Sequence, residues 1–340
     1  MSRKLLLFFI CLSLPLVTLY AQQLSYAVEF NHFLDNREYS NNYEPSQTML
    51  GARLNTMLGA KLDSTQGFMA GINYLYEYGD RINGNTPTVN LFYHYQTTDW
   101  TFIFGSFPRR GLLNYPLALL SDTLDNYRPN IQGGYVEKRG NWGYENAWCD
   151  WLSRQQVDVR ETFMAGLSGQ VNFTPNLFLD HYFYMYHDAL TANHPSDQYI
   201  RDNGAYGVLA GADFTQPSKF DLLTIRIGSL GCYNRFRPDP DLNFYFGFFS
   251  QLHAYYNRFG IDASYYRGDK LNVAYGDMMY MSGNYGRIDF AYIPLKTKYI
   301  TSRIALCMHD VAGKWQSSQT MTLIFKVGEY YKTYHEWPMK

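Results

Sequence analysis

Apolar residues of this chain recur at every second position, which is the feature that most limits its fold. Residues 67–80 read GFMAGINYLYEYGD, with apolar or aromatic side chains at the even positions from 68 to 78 and Gly71, Asn73 and Glu77 among the odd ones. A two-residue period places the apolar side chains on one face of a strand, whereas a helix would need a period of 3.6. The same alternation returns in residues 162–173, 243–256 and 320–327.

About sixteen such segments follow one another, each roughly ten residues long, which is the length that a tilted strand needs to cross a bilayer. Several of them alternate poorly, so fourteen or eighteen strands remain open. Aromatic residues make up 18% of the chain, including 32 tyrosines, while the mean hydropathy is −0.34. Membrane barrels combine alternating apolar positions with aromatic girdles in this way.

The connections between the segments alternate between short and long. Short ones include 63–66, 97–99 and 257–260, and long ones include 34–46, 107–130, 189–203, 267–284 and 310–316. In a transmembrane barrel the short turns lie in the periplasm and the long loops outside the cell. We therefore predict an all-β fold: a single transmembrane antiparallel β-barrel whose lumen is wide enough to hold water.

The first residues predict export. Arg3 and Lys4 precede an uncharged apolar stretch, residues 5–19, and Ala21 is a plausible cleavage point. This is the layout of a secretory signal peptide, with a retained signal anchor as the alternative. The predicted domains are a signal peptide at 1–21 and an outer-membrane barrel at 22–340, located in the cell outer membrane.

Charge and cysteine content exclude several classes of protein. The net charge of −1 does not indicate nucleic-acid binding, which usually needs an excess of basic residues. Cys149, Cys232 and Cys307 are far apart and odd in number, so they predict neither a disulfide framework nor a zinc site. His187, His194 and Asp197 lie in one loop and would be the candidates for a metal ion, but a solvated loop explains them as well. We expect no cofactor and no metal.

The export signal, the alternating strands and the alternation of short and long connections resemble porin-type outer-membrane barrels of Gram-negative bacteria. The stretches YHYQTTDWTFIFGSFPR and YRPNIQGG are similar to barrels of the Bacteroidetes. The resemblance implies a bilayer with lipopolysaccharide as surroundings, small hydrophilic solutes as cargo, and a homotrimer as a common assembly. One departure is that such barrels usually end on an aromatic residue, whereas this chain continues past Val327 to YYKTYHEWPMK.

Residues 107–130 form the longest connection, and the resemblance implies that this third external loop folds into the barrel. Its charges would then oppose one another across the pore and select solutes by size and charge. A rim loop over the mouth and a misread extra hairpin are the alternatives. The candidate constriction residues are Arg109, Arg110, Asp122, Asp125 and Arg128. The candidate lumen-lining residues are Asn73, Glu77, Asn90, His94, Gln96, Asp262, Arg287 and Arg303.

The sequence favours a passive diffusion channel that is not an enzyme. The first alternative is a structural or assembly barrel of a secretion or surface complex. The second is a hydrolase at the barrel rim, which would need a serine and a histidine, or paired carboxylates with a histidine, within hydrogen-bond reach. Ser250 and His253 are three residues apart and point to opposite faces, and no G-x-S-x-G motif is present, so no catalytic residue is predicted.

Overall fold

The computed structural model describes residues 23–79 and 86–335, and the predicted signal peptide lies outside the described residues. Sixteen antiparallel strands close into one barrel, in which each strand pairs with its neighbours in sequence and β1 pairs with β16. The closing pair runs from Ala27 opposite Gly328 to Glu38 opposite Ser317. Closure satisfies the backbone hydrogen-bonding groups between strands and leaves no open edge, which is what hydrocarbon surroundings require. The predicted barrel and its strand number are confirmed.

The strands are β1 (Gln23–Glu38), β2 (Gln47–Lys61), β3 (Gln66–Glu77), β4 (Thr88–Gln96), β5 (Trp100–Pro108), β6 (Asn130–Gly140), β7 (Gly143–Ser153), β8 (Thr162–Asn172), β9 (Leu177–Asp188), β10 (Arg201–Asp213), β11 (Leu222–Phe236), β12 (Asn243–Tyr256), β13 (Phe259–Gly268), β14 (Asn284–Tyr292), β15 (Ile300–Val311) and β16 (Lys314–Gly328). A short helix, α1 (Thr123–Tyr127), and a 3-10 helix (Met278–Ser282) lie in the loops. Among the described residues no helix is long and apolar enough to cross a membrane.

The two faces of the wall differ as the alternation predicts. Phe68, Ile72 and Tyr76 of β3 are exposed on the outside, whereas Asn73 between them is buried toward the lumen. The outside is the apolar surface that faces lipid.

One connection differs from its predicted length. Residues 310–316 were predicted to be a long external loop, but β15 and β16 are joined only by Ala312 and Gly313. Both residues have positive φ, 51° and 86°, as in the two-residue hairpin turns that match strand twist. Because alanine rarely adopts positive φ, the sequence gives little sign of this turn.

Three chain segments occupy part of the lumen. The first is the loop 109–129, whose Ala118 and Leu119 are fully buried. Tyr184 of β9 donates a hydrogen bond to the Leu119 carbonyl over 2.6 Å, and Tyr135 of β6 donates to the Leu112 carbonyl over 3.2 Å. The loop 109–129 therefore lies inside the barrel.

The second segment is the loop 269–283, which binds the first one. The Ser121 amide donates to the Tyr275 carbonyl over 2.8 Å, and the Asp277 amide donates to the Leu117 carbonyl over 3.0 Å. The two loops are thus joined to each other by backbone hydrogen bonds inside the barrel.

The third segment, residues 329–335, follows Gly328, whose φ of 75° redirects the chain. Tyr330 and Tyr331 are buried against Phe92 in the lumen, and Tyr331 donates to the Pro108 carbonyl over 2.6 Å. We refer to residues 329–335 as the C-terminal segment. It accounts for the residues that continue beyond the last strand.

Candidate functional site

A cavity of about 510 Å³ remains between the loop 109–129 and the wall formed by β11 to β16. It reaches from Asp122 in the loop to Thr297 and Lys298 in the periplasmic turn, and His335 of the C-terminal segment also lines it. Its charged wall residues on β11 to β16 are Arg226, Asp262, Arg287, Asp289, Arg303 and Lys326.

The cavity wall carries a charge-balanced network. Asp262 accepts from Arg303 over 2.9 Å and lies 2.8 Å from Nδ1 of His253. Asp289 accepts from Arg287 through two hydrogen bonds of 2.8 and 2.9 Å, and Arg303 lies 3.5 Å from it. These residues sit at alternate positions of β12 to β15, so their side chains reach the same face. The wall therefore offers paired positive and negative groups to a polar molecule.

A serine and a histidine meet on the inner wall near the external end of β15 and β16. Ser318 Oγ lies 3.0 Å from Nε2 of His309, and the Tyr285 hydroxyl lies 2.7 Å from Nδ1 of the same ring. Ser318 is 2% exposed and His309 is 1% exposed. A nucleophile within reach of a base that a third group orients is the signature of nucleophilic catalysis.

Strand register brings these three side chains together. In the β15–β16 hairpin Cys307 faces Ser318 and His309 faces Gln316, so His309 and Ser318 are diagonal neighbours on the inner face. Tyr285 of β14 lies opposite Val311, next to His309. Diagonal neighbours on one sheet face lie close enough for long side chains to touch.

The pair borders the cavity described above. Arg287, a cavity-lining residue, is the direct partner of His309 between β14 and β15. The two sites therefore share one wall.

The external loop 39–46 covers the serine–histidine pair. Gln316 of β16 accepts hydrogen bonds from the Ser40 amide over 2.9 Å and from the Asn41 side chain over 2.8 Å. The Tyr39 hydroxyl lies 3.5 Å from His309 Nε2. Burial raises the pKa of the Tyr39 hydroxyl well above its usual range, so Tyr39 stays neutral.

A guanidinium group completes the surroundings of Ser318. Arg37 of β1 lies opposite Ser318 in the register of β1 and β16. It binds Asp35 over 2.8 Å and Glu44 over 2.5 Å. Burial raises the pKa of the Glu44 carboxyl, and the charge of Arg37 opposes that shift. The serine thus faces a positive charge held by two carboxyl groups.

The structure places the predicted constriction residues in different surroundings. Arg109, Arg110, Asp122 and Asp125 line the cavity. Arg109 forms an ion pair with Asp150 of β7, and Arg110 lies 3.7 Å from Glu29 of β1. The Arg128 guanidinium lies 5.6 Å from the ring of Tyr275. Their role as a constriction remains a prediction.

Three of the predicted lining residues, Asp262, Arg287 and Arg303, belong to the charged network of the cavity wall. The other five contact either the segments inside the lumen or residues of the barrel wall. Asn73 accepts from Arg53, Glu77 accepts from Tyr127, Asn90 accepts from Asn130, His94 lies beside the Tyr331 ring, and Gln96 binds both backbone groups of Lys332. Their contribution to permeation is likewise still a prediction.

His187, one of the candidate metal ligands, lies in β9 and not in the loop as predicted, and it is 3.6 Å from Asp202 of β10. Within residues 23–79 and 86–335, no group of three or more His, Cys, Asp or Glu side chains is arranged to hold a metal ion.

Sequence reasoning missed Ser318, His309 and Tyr285. The predicted long loop 310–316 separated His309 from Ser318, and only the tight turn at Ala312 and Gly313 restores their register. The alternation of polar residues on both sides of that turn is the signal that could have revealed them.

Comparison with solved structures shows the same fold in outer-membrane barrels. OmpT of Vibrio cholerae, as a mutant lacking loop L8, has a TM-score of 0.57 at 8% identity, covering 90% of this chain and 100% of that one. The in-vitro folded trimer form of OmpT has a TM-score of 0.56 at 8% identity, with the same coverage. An anion-selective porin from Comamonas acidovorans has a TM-score of 0.51 at 10% identity, covering 90% and 99%. The chain thus has the fold of these outer-membrane barrels, while no curated protein matches its sequence.

The sequence also matches a known family. A family profile described as "Lipid A 3'-O-deacylase-type" matches residues 16–337, nearly the whole chain. This family is an enzyme family, so the prediction that the chain is not an enzyme is wrong. That prediction rested on the absence of a sequence motif, and a site assembled from three strands leaves no such motif. The chain belongs to the lipid A 3'-O-deacylase-type family.

Proposed function

We propose that this protein is an outer-membrane hydrolase that removes an ester-linked acyl chain from lipid A. The observation that carries the proposal is the hydrogen-bonded series Ser318–His309–Tyr285, with distances of 3.0 and 2.7 Å. The family match over residues 16–337 supports the substrate class. A serine within reach of a histidine is one of the two arrangements that a rim hydrolase would need.

The geometry assigns a role to each group. His309 Nε2 takes the proton of Ser318, whose Oγ attacks the ester carbonyl and forms an acyl-enzyme. The sugar hydroxyl leaves with the proton held by His309, and water then releases the fatty acid and restores Ser318. Tyr285 accepts a hydrogen bond from Nδ1–H and fixes the tautomer that leaves Nε2 as the base. Arg37, opposite Ser318, supplies the positive charge that stabilises the developing oxyanion.

The site's height in the barrel fits a lipid of the external leaflet. Ser318 and His309 lie close to the external turn at Ala312 and Gly313. The loop 39–46 covers them through Ser40 and Asn41, so it acts as a lid that opens for the substrate.

The test is hydrolysis of lipid A by the purified protein in vesicles. We expect one fatty acid to be released per lipid A, together with a glycolipid lighter by one acyl chain, as measured by mass spectrometry. Vesicles of phosphatidylethanolamine are the matched control and should release no fatty acid. If lipid A remains intact while the barrel is folded, as shown by heat-modifiable migration in gels, the proposed hydrolysis is wrong.

A second candidate function is passage of small hydrophilic solutes through the lumen. It is favoured by the cavity of about 510 Å³, whose charged wall extends to Thr297 and Lys298 at the periplasmic end. The C-terminal segment would block this passage, because Tyr330 and Tyr331 pack against Phe92 in the lumen.

Replacing both Tyr330 and Tyr331 by alanine should detach this segment, because two buried aromatic side chains are lost. Single-channel recordings in planar bilayers are expected to show a conductance at least about twice that of the unmodified protein. Tyr292→Ala, which removes an exposed aromatic of β14, is the control and should leave conductance unchanged. Silent membranes with the double variant would count against a channel and favour a structural or assembly role.

A further inference from the structure

A carboxylate and an imidazole form a pair on the lipid-facing side of the barrel. Glu145 of β7 and His181 of β9 lie 2.8 Å apart, and their side chains are 42% and 27% exposed. Their neighbours two positions along, Ala147 and Phe183, are exposed on the same outer face. An ionisable pair on this face is costly in hydrocarbon, which makes its presence informative.

The strand between them leaves room for the pair. Glu145 and His181 are both direct partners of Gly169 in β8. A Cβ atom at Gly169 would lie 2.4 Å from Oε2 of Glu145 and 2.8 Å from Cε1 of His181. Any larger residue would separate the two side chains, so the pair depends on a glycine at position 169.

A cation and an aromatic ring extend this feature. Lys138 of β6 is the direct partner of Glu145, and its Nζ lies 5.2 Å from the centre of the Trp100 ring. The outer face thus carries a row of ring, ammonium, carboxylate and imidazole across β5 to β9. Interfacial tryptophans mark the level of lipid headgroups.

The row lies toward the periplasmic ends of its strands. Trp100 is the first residue of β5, Lys138 is close to the end of β6, and Glu145 is close to the start of β7. At this level the protein meets the headgroups of the inner, phospholipid leaflet of the outer membrane, on the side away from lipid A. The row is therefore separate from the proposed catalytic residues.

We propose that Lys138, Glu145 and His181 bind the headgroup of a phosphatidylethanolamine molecule in the periplasmic leaflet. The phosphate lies against Lys138 and the ammonium against Glu145, while His181 holds the carboxylate in place. Phosphate and ammonium in this headgroup are two carbon atoms apart, comparable with the spacing of about 4.8 Å between neighbouring strands.

The test compares retention of phosphatidylethanolamine with that of phosphatidylcholine, whose methylated ammonium cannot donate hydrogen bonds. The full-length protein is exchanged into nanodiscs of equal parts of both lipids, and bound lipids are counted by native mass spectrometry. We expect the unmodified protein to retain phosphatidylethanolamine about fivefold over phosphatidylcholine. Glu145→Gln should abolish this preference, and Lys138→Gln should lower the retention of both phospholipids.

His32→Asn is the matched control, because His32 is partly exposed on β1 and contacts the Tyr78 ring at 5.7 Å. It should keep the preference. Equal retention of the two lipids by the unmodified protein overturns the proposal, and so does a preference that survives Glu145→Gln. If Glu145→Gln fails to fold, Lys138→Gln decides, and unchanged retention of both phospholipids by that variant overturns the proposal. None of these outcomes depends on hydrolysis of lipid A.

Discussion

Replacing Ser318 by alanine is expected to slow the release of fatty acid from lipid A by at least about a thousandfold. The substitution removes the only atom that the proposed mechanism uses to attack the ester, while the small side chain keeps the wall of β16 intact. The measurement is the rate of fatty-acid release from lipid A vesicles at equal amounts of folded protein. His309→Gln should cause a loss of similar size, because the serine then has no base.

Two comparisons make this result specific. Ser168→Ala removes another buried inner-face serine, whose Oγ donates to Asn146 over 3.0 Å, and should leave the rate within about threefold of the unmodified protein. The double variant Ser318→Ala/His309→Gln should be no slower than either single variant, because residues that act as a unit are not additive. Substantial activity in Ser318→Ala would show that another group is the nucleophile.

Removing the guanidinium group of Arg109 should give the largest loss of stability. Arg109 and Asp150 form an ion pair with side chains only 3% and 2% exposed, and the Arg109 amide also binds the Pro129 carbonyl over 2.7 Å. Arg109→Ala leaves the Asp150 carboxylate buried without its partner, which typically costs about 3–5 kcal/mol. Urea unfolding of the protein in lipid vesicles, followed by tryptophan fluorescence, measures the change.

Arg237→Ala provides the matched control for this measurement. Arg237 binds Asp202 over 2.8 Å, but its side chain is 47% exposed, so solvent screens the pair and the loss should be small. The double variant Arg109→Ala/Asp150→Ala should recover part of the stability, because no unpaired carboxylate is then buried. If Arg109→Ala and Arg237→Ala unfold at the same urea concentration, the buried pair does not anchor the loop 109–129.

The barrel itself could be predicted because its signal is local. In β3 every second residue, such as Phe68 and Ile72, faces lipid, and that alternation is visible in a stretch of ten residues. An inward course of residues 107–130 was expected from resemblance and length, but the hydrogen bonds of Leu112 and Leu119 to the barrel wall could not be predicted from the sequence. The C-terminal segment could be noticed as extra sequence, but nothing in YYKTYHEWPMK indicates that Tyr331 reaches Pro108.

The candidate catalytic residues could not be predicted in the same way. Tyr285, His309 and Ser318 come from three strands and meet only because the register of β14, β15 and β16 sets them diagonally. A register error of one residue moves a side chain to the opposite face of the sheet. Polar lumen residues also look alike in sequence whether they line a channel or form an active site, so no catalytic residue was predicted.

By itself the sequence determined a closed membrane wall, with apolar residues outside and polar residues inside, because the period of side chains along a strand depends only on neighbouring residues. The tertiary structure alone decided what fills that wall and which polar groups touch. The contact between Ser318 and His309 and the pairing of Glu145 with His181 across Gly169 both depend on strand register. Register is fixed by turns and by packing across the whole barrel, and these are not encoded in any single stretch of the chain.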